Sequence, residues 1–202
     1  MTQKTITDQL KMVLNKRGLW TVKVKKAYKQ AYKSHKNQLR DNGANYFYTH
    51  IVPVTMDLLA SLKRPKKIML NVITLSLLHD VLEDDPAVTD EGIKKDFGVH
   101  ILKNLKVLTK PQYYNRGDLS TEEKFLENKK IFNKIQNSSF GIKIVKLSDR
   151  FNNISALDFL KILKPEKYYR YLKEGYELVL PLAKKTSRVY YKKIKAVLDT
   201  LN

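Results

Sequence analysis

Apolar residues recur at three- and four-residue intervals along most of this chain, and runs of strict polar–apolar alternation are few. The first pattern marks amphipathic helices and the second marks strands. Ile144, Leu147, Phe151 and Ile154 show the helical spacing within one segment. Seven glycines and six prolines in 202 residues leave little punctuation for a sheet built from many turns. The expected fold class is therefore all-α, a helical bundle of about eight to ten helices with at most a small β-hairpin in an irregular loop. The length suits one domain spanning residues 1–202.

Local signals divide the bundle. Gly18 separates helices expected over 3–17 and 20–40, and the segment "RDNGANYFYTH" (40–50) carries the turn pair Asn42-Gly43. A helix over 51–63 tolerates Pro53 in its first turn. Pro65 then opens a long helix over 66–84, which Pro86 ends. Thr89 is suited to cap a short helix closing at Phe97-Gly98, and 99–108 resumes the amphipathic pattern. The stretch 109–120 reads as a long loop. Ser120 and Glu123 have the form of a capping box that opens a helix to Gln136. "NSSFG" makes a turn, and the last helices are expected over 165–182 and 184–201.

Composition narrows the classes. A hydrophobic content of 43% is enough for a real core. No apolar run approaches the roughly 18 residues of a membrane span, and the N-terminus lacks a signal-peptide block. The absence of cysteine excludes disulfides and thiolate metal sites. A cytoplasmic protein without a membrane partner is expected. The net charge of +19 invites a nucleic-acid reading, but only 7 of the 39 basic residues are arginine. Arginine is the usual choice for bidentate phosphate and base contacts. The 32 lysines run along the whole chain. That distribution favours a field attracting a small anionic ligand over dedicated nucleic-acid binding.

The stretch "SLLHDVLEDD" (76–85) ends an apolar run in a histidine and four carboxylates. Acid at the edge of a core needs a cation, bulk water or a metal ion, because unpaired buried charge is costly. A helix C-terminus is also the wrong end for negative charge. On one continuous helix, Glu83 would lie one turn beyond His79, and Asp84 one turn beyond Asp80. Two ligands followed by two acids would hold a metal and place a carboxylate beside its water. "IVKLSDRFNN" (144–153) puts Asp149 at another core edge, and His50 stands before an apolar helix. Two histidines and two aspartates form a mixed donor set for manganese, iron or zinc. A solvated helix end is the plain alternative.

Together these motifs resemble the HD superfamily of metal-dependent phosphohydrolases, and within it the hydrolase domain of RelA/SpoT-type enzymes and the small alarmone hydrolases. The first family motif, H-x-x-Q-x-R followed by a glycine turn and a second histidine, is matched by "HKNQLRDNGANYFYTH" (35–50). "LLHDVLED" (77–84) matches the core motif, Phe97-Gly98 and Thr109-Lys110 match the family's FG and TK, and "KLSDRFNN" (146–153) matches K-L-A-D-R-x-x-N. "VLPLA" (179–183) echoes the final segment, so the resemblance runs from about 27 to 183 in family order. It implies His50, His79, Asp80 and Asp149 as metal ligands, with Mn2+ as the ion. It implies Glu83 and Asp84 as the catalytic acids at the attacking water. Arg40 would lie near the purine, Asn153 near the sugar and phosphates, and Lys110 and Lys146 at phosphates. His35 is expected to pack and His100 to lie at the surface.

The implied reaction is hydrolysis of the 3′-diphosphate of guanosine tetra- or pentaphosphate (ppGpp or pppGpp), releasing pyrophosphate. No synthetase domain is expected, and a homodimer is open as an assembly state. The sequence departs from the family in places: Ile51 follows His50 where proline is usual, and Asp41, Ala156 and Val179 replace common family residues. The His35–His50 spacing is also one residue longer than the common form. These differences bear on base recognition and substrate preference. The alternatives are an HD phosphohydrolase for another nucleotide, and a non-catalytic module binding nucleotide or nucleic acid.

Overall fold

The computed structural model describes residues 3–111 and 119–201. Among them every regular element is helical, apart from one isolated antiparallel bridge between Leu39 and Asn45. The expected loop over 109–120 lies for the most part outside the described residues. The chain forms two compact units, Met1–Thr109 and Lys110–Asn202.

The first unit holds α1 (Gln3–Lys16), α2 (Val22–His35), α3 (Val52–Ser61), α4 (Lys66–Leu78), α5 (Val81–Asp84), α6 (Asp90–Phe97) and α7 (Val99–Leu108). Helix α4 is its centre. Val72, Ile73, Leu75, Leu77 and Leu78 are all buried, and α2, α3 and α7 pack against it. A helix apolar on all sides belongs inside. Helix α2 stops five residues earlier than expected. The chain turns after His35, and Arg40 N–H bonds the Ala44 carbonyl at 2.8 Å while Tyr46 N–H bonds that of Gln38 at 2.8 Å. Gly43, at φ 76°, makes the turn between them. The expected hairpin is reduced to this single bridge.

Two further departures follow from backbone chemistry. The long helix expected over 66–84 breaks at His79–Asp80, where Asp80 takes φ −106°, ψ −4°, at the edge of the helical region. The helix holding His50 begins earlier than expected, as a π-helical turn over Phe47–Ile51. Pro53 has no N–H for the carbonyl of Thr49. Arg40 Nη1 donates to that carbonyl instead, at 3.0 Å.

The second unit holds α8 (Thr121–Gln136), α9 (Phe140–Ile154), α10 (Asp158–Leu163), α11 (Pro165–Glu174), α12 (Leu180–Thr186) and α13 (Arg188–Leu201). The thirteen α-helical segments among the described residues exceed the eight to ten expected, because breaks such as those at His79 and Ser187 and the six-residue α10 leave little trace in periodicity. The capping box that opens α8 is present, with Ser120 N–H donating to Glu123 at 2.8 Å. Helices α9 and α13 pack together, and Ile144, Val145, Leu147 and Ile154 on one and Tyr190, Ile194 and Leu198 on the other are buried. A second π turn, Gly175–Val179, again stands just ahead of a proline, Pro181. A Cβ on Gly175 would meet Leu198 Cδ2 at 2.8 Å, so a larger residue there would require the Leu198 side chain to shift. No helix among the described residues is long and apolar enough to cross a membrane.

Candidate metal centre

His79 caps the C-terminal end of α4, and its Nδ1 lies 2.7 Å from the Ser76 carbonyl. A carbonyl only accepts, so the proton sits on Nδ1 and Nε2 keeps its lone pair for a metal or another donor. The helix break then turns Asp80 so that its Oδ2 lies 3.1 Å from His79 Nε2. On an unbroken helix these neighbours would point about 100° apart. His50, buried in the π turn, brings its Nε2 within 3.4 Å of Asp80 Oδ2 and 3.2 Å of His79 Nε2. Single-turn π segments are frequent at functional sites. Arg40, holding the carbonyl beside His50, fixes this turn; it is placed on backbone as well as in the family motif.

The three ligand atoms form a triangle with sides of 3.1–3.4 Å. Ligands about 2.1 Å from one ion at octahedral or tetrahedral angles lie about 3.0–3.4 Å apart. Two imidazoles and a carboxylate therefore fit a divalent ion in both chemistry and spacing. The electrostatics agree. Burial alone would raise the Asp80 carboxyl, but the two imidazoles, His79 foremost, hold it well below the usual carboxylate range. Tyr46 adds a donor, its phenol lying 2.7 Å from Asp80 Oδ2.

Asp84 and Glu83 follow on the single turn α5, both half-buried. Gln38 Nε2 donates to Asp84 Oδ2 at 3.0 Å, and Gln38 Oε1 lies 2.6 Å from His35 Nδ1. Because Gln38 spends its amide on Asp84, its oxygen accepts from His35, which places the His35 proton on Nδ1. His35 is packed as expected: it is 0% exposed, and its Nε2 has no hydrogen-bond partner. Burial pushes its pKa down, outweighing the Gln38 hydrogen bond and the pull of Asp80. His100 is exposed, beside Asn104, as expected.

Asp149 stands on α9 of the second unit, together with two residues expected at the substrate. Lys146 Nζ lies 2.8 Å from Asp149 Oδ2, and Asn153 Nδ2 donates to Asp149 Oδ1 at 2.7 Å. The next residue, Arg150, is buried against Glu174, which also accepts from Arg170 at 2.8 Å and Asn128 at 2.6 Å. Lys110 lines a cavity of about 620 Å³ in this unit with Lys124, Lys164, Lys167, Arg170 and Tyr171. Burial would raise the Tyr171 phenol, but the cations around it, Arg150 first, lower it. The local field in this cavity is thus positive.

Sequence reasoning missed Tyr46 and the role of Gln38. Gln38 belongs to the first motif but had no task assigned by it. Tyr46 has no local signal, because only the turn at Gly43 brings it to Asp80.

No family model matches the chain. The guanosine-3′,5′-bis(diphosphate) 3′-pyrophosphohydrolase of Spiroplasma citri is 31% identical over 79% of this chain and 20% of its own length. A GTP pyrophosphokinase of Myxococcus xanthus is 32% identical over 89% of this chain and 22% of its own. The bifunctional (p)ppGpp synthase/hydrolase SpoT of Escherichia coli K12 is 29% identical over 80% and 21%. The chain thus spans about a fifth of the length of the curated relatives it matches. Among solved structures, a metazoan ortholog of SpoT that hydrolyzes ppGpp shares the fold, with a TM-score of 0.69 over 90% of this chain and 97% of that one, at 19% identity. Over most of its length the chain is thus similar in sequence to a segment of these curated (p)ppGpp enzymes, and it shares its fold with the metazoan SpoT ortholog.

Proposed function

We propose that this chain is a metal-dependent hydrolase that removes the 3′-diphosphate of ppGpp or pppGpp as pyrophosphate, leaving GDP or GTP. The observation that carries the reading is the triangle of His50, His79 and Asp80, with Glu83 and Asp84 directly after it. In this reading Asp149 is the fourth ligand and Mn2+ the native ion. When bound, the ion supplies positive charge for the reacting phosphate and acidifies water.

The side chains do the rest. His79 offers Nε2 because its Nδ1–H is donated to the Ser76 carbonyl. Gln38 holds the Asp84 carboxylate, so that acid orients the attacking water while Glu83 accepts its proton. Asn153 and Lys146 grip Asp149 and direct its oxygens, with Lys146 also balancing substrate charge. Arg40 steadies the turn of His50 at the purine end of the site. Lys110 is assigned by the same reading to a phosphate contact. The net charge of +19 serves the same small, highly anionic ligand.

The test is pyrophosphate release from ppGpp with Mn2+, alongside metal analysis of the wild type, His79→Ala and Asp149→Ala. Both variants are expected to lose metal and turnover. Unchanged metal content in both would remove these residues from the ligand set. Turnover of other nucleotides, with ppGpp untouched, would move the chain to a different HD substrate.

A further inference from the structure

We propose that Tyr46 is a positioning residue for the metal ligand Asp80, acting by a phenol hydrogen bond that aims the carboxylate between the two histidines. This rests on the metal reading above and extends it to a residue outside the donor set.

Asp80 needs such a restraint. It sits at a break between α4 and α5, and its side chain makes no capping hydrogen bond to the helix that follows. A short carboxylate on irregular backbone can rotate about its side-chain bonds. Its Oδ2 nevertheless lies 3.1 and 3.4 Å from the two imidazole nitrogens. The phenol at 2.7 Å adds a directional hydrogen bond to the attraction of the two imidazoles. Among the described residues, Tyr46 supplies the one hydroxyl bonded to Asp80.

Tyr46 is itself held firmly. Its N–H bonds the Gln38 carbonyl at 2.8 Å, anchoring it to the bridge between Leu39 and Asn45. Its ring centroid lies 5.4 Å from that of His35 and 4.8 Å from that of His50. One side chain therefore touches a metal ligand through its ring, a second through its hydroxyl, and the buried His35 besides. Outer groups that orient a ligating carboxylate or histidine typically change metal affinity by about 10–100-fold when removed.

Tyr46→Phe keeps the ring and removes only the hydroxyl. Manganese affinity would be measured by calorimetric titration of the metal-stripped full chain, together with its melting temperature. The expected result is a loss of affinity of at least about tenfold, with metal-free melting close to wild type. In an Asp80→Asn background, where the carboxylate is gone, Tyr46→Phe should produce little further loss. Equal affinity in wild type and Tyr46→Phe would overturn the positioning role while leaving the metal reading intact. So would an affinity loss fully additive with Asp80→Asn, or a drop in melting without one in affinity, both of which describe packing. Absence of manganese binding by the wild type would overturn both readings together.

Discussion

Glu83 and Asp84 are adjacent carboxylates to which the proposed reaction gives different tasks. Asp84 accepts the amide of Gln38, which is held in turn by His35, so it is suited to orient rather than to move. Glu83 is the candidate for taking the proton. Glu83→Gln should leave manganese bound and ppGpp affinity near wild type, while turnover falls by about 10²–10⁴-fold, the usual range for a general base. Single-turnover hydrolysis with a parallel metal assay checks this, and near-normal turnover would reduce Glu83 to a structural acid. His79 and Asp80 were legible in sequence, because an apolar run that ends in a histidine and acids needs a cation to hold them there. Lys146 and Asn153 were expected from their motif to lie at the substrate, but their engagement of Asp149 depends on helical spacing made real by α9. Tyr46 was illegible, since it is 34 positions from the residue it bonds.

Helices were easy to foresee and their irregularities were not. Periodicity reports which residues face a core, and that survives a one-residue break or a π turn. It says little about where the backbone changes course. The two π turns among the described residues both stand just ahead of prolines, Pro53 and Pro181, and those prolines are the signal the sequence offers for them. Helix α11 carries another feature that spacing alone understated. Arg170 and Glu174 lie one turn apart, an ordinary surface arrangement, yet Glu174 is 0% exposed and also engages Arg150 and Asn128. Burial would raise its carboxyl, but Arg150 and Arg170 lower it, so it stays ionised in the folded unit. Glu174→Gln preserves the shape and leaves two guanidinium groups without their counter-charge. Urea unfolding should show a loss of about 3–5 kcal/mol; a change under about 1 kcal/mol would mean solvent compensates the arginines.

For the molecule as a whole, all-α character and positive charge were evident from sequence, while the division into units at Thr109 and Lys110 was not, because no linker composition marks it. The buried His35 bears on the thermodynamics of the entire chain. Its proton is on Nδ1, its Nε2 meets no partner, and its pKa is depressed. The unfolded chain, with an ordinary histidine of pKa about 6.5, therefore takes up a proton in mild acid that the folded form refuses. By linkage, stability is flat with respect to this group above that value and declines as pH falls below it, by at most about 1.4 kcal/mol per pH unit. Between about pH 7 and 5, above the titration of most carboxylates, wild type should lose more stability than His35→Leu in denaturant melts. Parallel curves would show that the folded protein protonates His35 after all. A residue placed to hold Gln38 against Asp84 thus makes acidity an intrinsic denaturant of the same unit that carries the metal triangle.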